Sequence, residues 1–186
     1  MRLFVALEIP EPVRERLAAL IVAMRPAATK AKWVRPENLH VTLKFLGEAA
    51  PEKLNAIGEA LCCARSEAPI EVRFRGLGSF PNEKRTRVLW AGVEGSANLA
   101  ALAASVDSVV ASAGFPKETR PFFPHLTLAR FDPPGIPPAL SKAITANSTH
   151  DFGLLRTGTF HLIQSKLKPT GAEYTTLRSF VFAPET

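Results

Sequence analysis

The pattern His-x-Thr-Leu occurs twice in this chain, and the two copies constrain the fold more than any other feature. His40-Val41-Thr42-Leu43 and His125-Leu126-Thr127-Leu128 lie 85 residues apart. At the same offset, four further positions are identical: Ala6 with Ala91, Leu17 with Leu102, Ala18 with Ala103 and Pro36 with Pro121. An internal repeat of this kind predicts two similar lobes, each of which offers one histidine and one threonine.

Hydrophobic periodicity supports the repeat, because the order β-α-β-α-β is predicted twice. Strands are predicted over 2–9, 40–46, 70–76, 88–93, 125–131, 152–163 and 174–182, with helices between them. The loop over 78–87 contains Pro81 and Asn82 and is the best candidate for a linker. We therefore expect two pseudo-symmetric lobes, at about 1–80 and 86–186.

Composition excludes several other classes of protein. The chain is 46% hydrophobic and 22% charged, which is ordinary globular usage. The adjacent Cys62 and Cys63 exclude a disulfide scaffold, favour small packing residues on a helix and fit a reducing cytoplasm. The aliphatic run over 17–24 is too short to span a membrane, and Glu8 interrupts the apolar N-terminus, so neither a membrane span nor a signal peptide is expected. The net charge of +6 is compatible with a partner that carries phosphate.

The repeated motif carries the candidate chemistry. Side chains alternate along a strand, so His40 and Thr42 point to one face and Val41 and Leu43 to the other. The same holds for the second copy. If the lobes face each other, two imidazoles and two hydroxyls surround one small groove. One imidazole can remove a proton from water while the other protonates a leaving oxygen, which suits displacement at phosphorus.

No metal or other cofactor is expected. The four histidines are dispersed, and neither motif has a second ligand at metal-binding spacing. Cations and hydroxyl donors can offset phosphate charge without a metal ion. His150 and His161 lack the motif, and we interpret them as a loop residue and a strand residue.

The motifs and their surroundings resemble the 2H phosphoesterases. Within that family the chain is similar to the bacterial and archaeal RNA 2′,3′-cyclic phosphodiesterases, formerly called 2′-5′ RNA ligases. The resemblance covers nearly the whole chain and is carried by these segments: FVALEIP (4–10), KWVRPENLHVTLKFLGE (32–48), LGSFP (77–81), RVLWAGV (87–93), FPHLTLARF (123–131) and LIQSKLKPTGAEYTTL (162–177).

The resemblance implies a bilobal α+β fold in one domain over 1–186, with antiparallel sheets, lobes that can interleave and a central active groove. It also implies metal-independent hydrolysis of a 2′,3′-cyclic phosphate at an RNA end to a 2′-phosphate. In that mechanism His40 donates a proton to the departing O3′, His125 accepts a proton from water, and Thr42 and Thr127 hold the phosphate oxygens. The residue pattern itself leaves the two histidine roles interchangeable.

Further substrate-binding residues are predicted around the motifs. Arg130 matches the family's extended motif HxTxxR, and its paired N–H donors suit a phosphate. Strict alternation places Arg130 opposite His125, so its participation requires a bulge. Lys44 shares the parity of His40 and Thr42, although a solvated position at the strand end is favoured for it. Trp33, Phe45 and Tyr174 are candidates for stacking on the terminal base, with core packing favoured for Phe45.

Two other functions fit the same residues. Ligation through a 2′-5′ bond uses a 5′-hydroxyl in place of water, and the sequence does not separate it from hydrolysis. The alternative that is not an enzyme is a non-catalytic domain that binds RNA ends. The two intact histidines argue against it, because a binding domain needs no proton carriers. The expected partner is RNA with a 2′,3′-cyclic phosphate end, with small cyclic nucleotides as further substrates. We expect the protein to be monomeric.

Overall fold

Nine strands and four α-helices form the part of the chain that the computed structural model describes, residues 1–95, 97–169 and 171–183. The helices are α1 (Glu11–Met24), α2 (Leu54–Leu61), α3 (Ala97–Ser112) and α4 (Pro138–Ala146). The strands are β1 (Arg2–Glu8), β2 (Lys32–Trp33), β3 (His40–Glu48), β4 (Ile70–Phe80), β5 (Val88–Gly95), β6 (His125–Arg130), β7 (Asp151–Thr157), β8 (Thr159–Lys168) and β9 (Gly171–Val181).

The strands form two sheets in which every pair is antiparallel. The first sheet has the order β3-β1-β8-β9, and the second has the order β2-β6-β5-β4-β7. The predicted α+β fold with antiparallel sheets is confirmed. The sheets interleave along the chain, because β4 joins the second sheet whereas β8 and β9 return to the first.

Two predicted boundaries were wrong. Strand β4 continues to Phe80 and pairs with β5, so residues 81–87 close a hairpin in the second sheet. The backbone N–H of Arg87 donates to the carbonyl of Phe80 (2.7 Å), and the segment does not link the lobes. The single strand predicted over 152–163 is two strands, β7 and β8, in different sheets. A continuous apolar run does not reveal where the chain changes sheets.

The apolar faces of both sheets and of the helices contribute to one hydrophobic core. Helix α1 buries Val13, Leu17 and Ile21 and contacts β7, while α3 contacts β3 and β4. Cys62 and Cys63, just after α2, are exposed free thiols, so their predicted packing role was wrong. No helix in the described segments is long and apolar enough to cross a membrane.

This core determines which motif residues reach the groove. Val41 and Leu43 are buried, as are Leu126 and Leu128, whereas His40, Thr42, His125 and Thr127 are only half-buried. Burial of the aliphatic pair on each strand therefore orients the histidine and threonine away from the core.

Candidate active site

The structure brings the two predicted histidines into one site. Strand β3, which begins with His40, contacts β6, which begins with His125, although the strands belong to different sheets. The positive charges of Arg130 and His125 both act to lower the pKa of His40. His40, His125 and Arg130 therefore share one electrostatic environment.

Each histidine is oriented by the same hydrogen bond. Nδ1 of His40 lies 2.6 Å from the carbonyl oxygen of Asn38, and Nδ1 of His125 lies 2.8 Å from that of Phe123. A carbonyl oxygen only accepts, so Nδ1 must carry the proton in both rings. In the neutral ring Nε2 therefore has the lone pair, so Nε2 is the nitrogen that can accept or donate a proton.

A β-bulge lies at the last residue of each motif, and the one at Leu128 explains the position of Arg130. In the β5–β6 pair, Trp90 lies opposite Thr127 and Leu89 opposite Ala129, so Leu128 is an extra residue. Leu128 and Ala129 are consecutively buried, and Arg130 is exposed. The bulge shifts the alternation by one, and Arg130 lies on the same face of the strand as His125 and Thr127.

The first motif has the equivalent bulge, which corrects the expectations for Lys44 and Phe45. Ala6 pairs with Thr42 and Val5 with Lys44, so Leu43 is the extra residue. Lys44 is buried and bonds Asp107 (2.6 Å), whereas Phe45 is 57% exposed. Lys44 is neither solvated nor in the groove, and Phe45 is not a core residue. Strict alternation failed at both positions for the same reason.

Aromatic rings flank His40. The ring centroids of Phe4 and Tyr174 lie 4.7 and 5.3 Å from the imidazole, and Phe45 lies next to Phe4. Burial among these groups lowers the pKa of His40 to about 4, with a smaller contribution from the nearby cations, against the hydrogen bond to Asn38. Burial also raises the pKa of Tyr174 despite the nearby Arg130 and Arg2. Tyr174 therefore lies beside His40, and its stacking on a base stays a prediction.

His125 has its own aromatic neighbours. Phe80 packs against it edge-on, with centroids 5.2 Å apart, and Phe123 lies 6.4 Å away. Phe123 also meets Trp90 at 5.6 Å and is 54% exposed. The sequence analysis did not select these three aromatic residues. All three lie in segments that carry the family resemblance, and Phe123 lies two residues before the motif histidine; these were their only signals.

The strand pairs also correct the repeat offset. Ala6 lies opposite Thr42 and Trp90 lies opposite Thr127, so Trp90 is the structural counterpart of Ala6. The offset of 85 aligns β3 with β6 but misaligns β1 with β5 by one residue. The identity between Ala6 and Ala91 was therefore coincidental.

Trp33 does not occupy the groove as a free stacking surface. Its indole N–H donates to the carbonyl of Ala28 (3.0 Å), and the ring packs against the main core. A ring held by its own N–H and by core contacts has a structural role. Phe45 and Tyr174 remain the candidates on the His40 side.

Asn38 links His40 to the β8–β9 hairpin, and the sequence did not reveal it. Its backbone carbonyl accepts from His40, and its side-chain amide donates to the carbonyl of Ala172 (2.7 Å). Asn38 is 8% exposed. Since β9 also carries Tyr174, this one residue connects two walls of the site.

We expect Asn38→Ala to lower kcat about 10- to 100-fold, because small displacements of a catalytic group are costly. The change is measured as separate kcat and KM values below the unfolding temperature. Asn147→Ala is the matched control, since Asn147 also donates from its amide to a carbonyl, that of Ala143 (2.8 Å), at the end of α4. An Asn38→Ala variant with unchanged kcat would contradict this positioning role.

Two imidazoles, two threonines and an arginine are groups that suit chemistry on a phosphate, and comparisons with known proteins identify the family of the chain. The family model described as "LigT like Phosphoesterase" matches this chain twice, over residues 7–90 and over residues 93–174. This chain therefore belongs to the LigT-like phosphoesterase family, as the resemblance predicted.

Two relatives each cover nearly the whole chain. A protein of Archaeoglobus fulgidus named RNA 2′,3′-cyclic phosphodiesterase is 37% identical over 180 residues, 97% of this chain and 99% of that protein. A protein of Thermus thermophilus with the same name is 41% identical, over 97% of this chain and 89% of that one.

Solved structures share the fold. The protein TT0787 of Thermus thermophilus superposes with a TM-score of 0.79 at 36% identity over the whole of both chains. E. coli LigT complexed with 3′-AMP superposes with a TM-score of 0.74 at 27% identity, over 98% of both chains.

Proposed function

We propose that this protein hydrolyses 2′,3′-cyclic phosphate ends of RNA to 2′-phosphomonoesters without a metal ion. One observation carries the proposal: two imidazoles in one site, each with Nδ1 held by a carbonyl and Nε2 left for the reactants. The relatives named RNA 2′,3′-cyclic phosphodiesterase support the substrate class. We also propose that it acts as a monomer in the cytoplasm and accepts small cyclic nucleotides.

In the proposed step, Nε2 of His125 takes a proton from water as the water oxygen attacks phosphorus. The P–O3′ bond breaks on the opposite side, and His40 donates a proton to O3′. One P–O bond forms and one breaks, with no oxidation or reduction. The solvent then returns a proton to His40 and removes one from His125.

The remaining groups bind the phosphate. Thr42 and Thr127 lie two residues beyond their histidines, on the same face of each strand, and their hydroxyls donate to the non-bridging oxygens. The Arg130 guanidinium, on the same face as His125, offsets the phosphate charge through paired N–H donors. Together they stabilise the charge that develops in the transition state.

The terminal nucleoside lies on the His40 side, because the departing O3′ belongs to its ribose. Phe45 is exposed there, and Tyr174 is half-buried against Phe4 and His40. Aromatic side chains stack on nucleobases of any type. The exposed ring of Phe45 and the edge of Tyr174 therefore provide the surface for the terminal base.

The first test uses a short RNA with a 2′,3′-cyclic phosphate, in the presence of a chelator, with the product identified by phosphorus NMR. We expect a 2′-phosphomonoester. Unchanged substrate would refute the proposal, and a 3′-phosphate would show that O2′ leaves instead. Loss of activity in chelator that a divalent ion restores would refute the metal-free mechanism.

A sulfur leaving group separates the two histidine roles. A thiol has a pKa near 8.5, far below that of an alcohol, so a thiolate leaves without a proton. With a substrate in which sulfur replaces O3′, His40→Ala is expected to regain about 10²-fold or more of its lost rate, whereas His125→Ala stays slow. Rescue of His125→Ala alone would reverse the two roles.

The lowered pKa of His40 predicts an unusual pH dependence. On the acidic side, activity is lost when His40 and His125 are both protonated, because no base then remains. In the free protein this full protonation requires protonation of His40, whose pKa is about 4, so the acidic limb of kcat/KM is expected near pH 4, well below the ordinary histidine value of 6.5. A bound phosphodiester anion offsets the charges of Arg130 and His125, so the same limb in kcat should lie higher. An acidic limb of kcat/KM near 6.5 would contradict the buried environment of His40.

A further inference from the structure

A second group of polar side chains faces the groove from the first sheet, and the mechanism above does not use it. Ala6 lies opposite Thr42 on one side and opposite His161 on the other. On the far side of β8, Ser179 lies opposite His161. Directly opposed residues of antiparallel strands share a face of the sheet, so His161 and Ser179 face the groove as Thr42 does. His161 is therefore a third histidine of this face, two strands away from the motif in β3.

Hydrogen bonds connect the members of this group, the Glu8 cluster, which consists of Glu8, His161, Thr176 and Ser179. Nδ1 of His161 lies 2.9 Å from the hydroxyl oxygen of Ser179. The hydroxyl of Thr176 donates to the Glu8 carboxylate (3.5 Å), and Glu8 lies directly opposite His40 in the sheet. His161 is half-buried, and the other three members are exposed. The cluster thus presents ordered polar groups to the groove beside His40.

No bulky side chain separates Thr42 from the Glu8 cluster. In the second sheet Trp90 lies opposite Thr127, whereas its counterpart Ala6 in the first sheet is buried and projects only a methyl group. Neighbouring strands lie about 4.8 Å apart, so the backbone of His161 is about 10 Å from that of Thr42. A ligand of the cluster is therefore a neighbouring part of the substrate and not the phosphate that Thr42 holds in the proposed step.

The charges of the cluster favour a hydroxyl group over a phosphate. Burial lowers the pKa of His161, against the effect of the Glu8 charge, so this imidazole is neutral at pH 7. Within the described segments, no cationic side chain lies within 4 Å of the Glu8 carboxylate. A carboxylate has about four acceptor positions, of which Thr176 occupies one. The cluster therefore carries a net negative charge, which repels phosphate and accepts hydrogen bonds from hydroxyl groups.

The proposed orientation of the substrate brings the RNA chain to this face. The ribose that carries the departing O3′ lies on the His40 side, and His40 and the Glu8 cluster belong to the same sheet. Water attacks from the side of His125, which belongs to the second sheet. The preceding nucleotide is joined to the 5′ oxygen of the terminal ribose, so we expect it over the first sheet.

A 2′,3′-cyclic phosphate restricts which hydroxyl group can bind there. Both the 2′ and the 3′ oxygens of the terminal ribose are bonded to phosphorus, so the nearest free hydroxyl of the RNA is the 2′-OH of the preceding nucleotide. We propose that the Glu8 cluster binds this 2′-OH, with the Glu8 carboxylate as the acceptor. The 2′-OH is the group that distinguishes RNA from DNA, so the cluster selects ribose one nucleotide before the reacting end. This inference rests on the proposed function.

The test uses two dinucleotides that end in a 2′,3′-cyclic phosphate and differ only in the first sugar, which is ribose or 2′-deoxyribose. The wild-type kcat/KM should be about 10-fold or more higher for the ribose form, the usual effect of one hydrogen bond to a charged group. Glu8→Ala should lower kcat/KM for the ribose form by the same factor and affect the deoxyribose form much less, so that the preference disappears. Adenosine 2′,3′-cyclic phosphate, which has no preceding nucleotide, should respond as the deoxyribose form does.

Glu48→Ala is the matched control, because it removes an exposed carboxylate at the opposite end of β3 from His40. It should leave the preference for ribose unchanged. Equal wild-type rates on the two dinucleotides would overturn the inference and leave the proposed function intact. An equal loss on all three substrates in Glu8→Ala would also overturn it, since Glu8 would then act through His40 and not through the 2′-OH. Absence of hydrolysis of every substrate by the wild type would instead refute the proposed function.

Discussion

Replacement of His40 or His125 by alanine is expected to lower kcat about 10²- to 10⁴-fold, the usual contribution of a positioned acid or base. Both rings are half-buried and face the groove, so their removal leaves the aliphatic neighbours Val41 and Leu126 in the core. The variants should therefore keep the melting temperature and the circular dichroism spectrum of the wild type. The rate is measured with a cyclic-phosphate RNA at saturation.

The double variant distinguishes a joint mechanism from two independent effects. Because both histidines serve one step, the double variant should be only slightly slower than the slower single variant. His150→Ala is the matched control, since this exposed histidine precedes β7 and packs on Phe152. Near-normal hydrolysis by either single variant would refute the two-histidine mechanism.

Asp107→Ala is expected to destabilise the fold by about 3–5 kcal/mol, the cost of leaving a buried charge without its partner. Lys44 is 6% exposed and lies in β3, two residues beyond Thr42. Its ammonium bonds the Asp107 carboxylate on α3 (2.6 Å) and the carbonyl of Pro116 (2.8 Å). Without Asp107, only the carbonyl of Pro116 remains of these two partners.

Lys44→Met is the informative companion to Asp107→Ala. Asp107 is less buried than Lys44 and also accepts from the backbone N–H of Glu118 (3.0 Å), so it tolerates loss of its partner better. The single Lys44→Met change should cost less than Asp107→Ala. The double variant should recover most of the loss, because no unpaired charge is then buried. Urea unfolding at pH 7 measures all three, and a cost below about 1 kcal/mol for Asp107→Ala would contradict the argument.

The pair also contributes to acid sensitivity. Burial alone would raise the pKa of Asp107, but the hydrogen bonds from Lys44 and Glu118 and the charges of Lys44 and Lys117 lower it overall. A carboxyl whose pKa is lower in the folded state stabilises the fold above its unfolded pKa of about 3.9. That stability is lost as the pH falls through the folded value. Between about pH 5 and about pH 2, the Asp107→Ala variant should therefore lose less stability than the wild type does.

The sequence was sufficient for the features that depend on local patterns. Alternation placed Val41 and Leu126 in the core and their histidine neighbours on the other face, because the side-chain period of a strand is two. The repeated motif predicted that both histidines belong to one site. The family resemblance predicted the α+β fold with antiparallel sheets.

The sequence did not determine what depends on strand pairing. The bulges at Leu43 and Leu128 each add one residue that only the partner strand reveals, and they decide that Arg130 and Phe45 face the groove while Lys44 is buried. The positioning role of Asn38 follows only from the hydrogen bond that its side-chain amide donates to the carbonyl of Ala172, 134 residues along the chain. Local periodicity predicts which residues share a face of one strand, but neighbours across strands depend on register, which the tertiary structure alone decides.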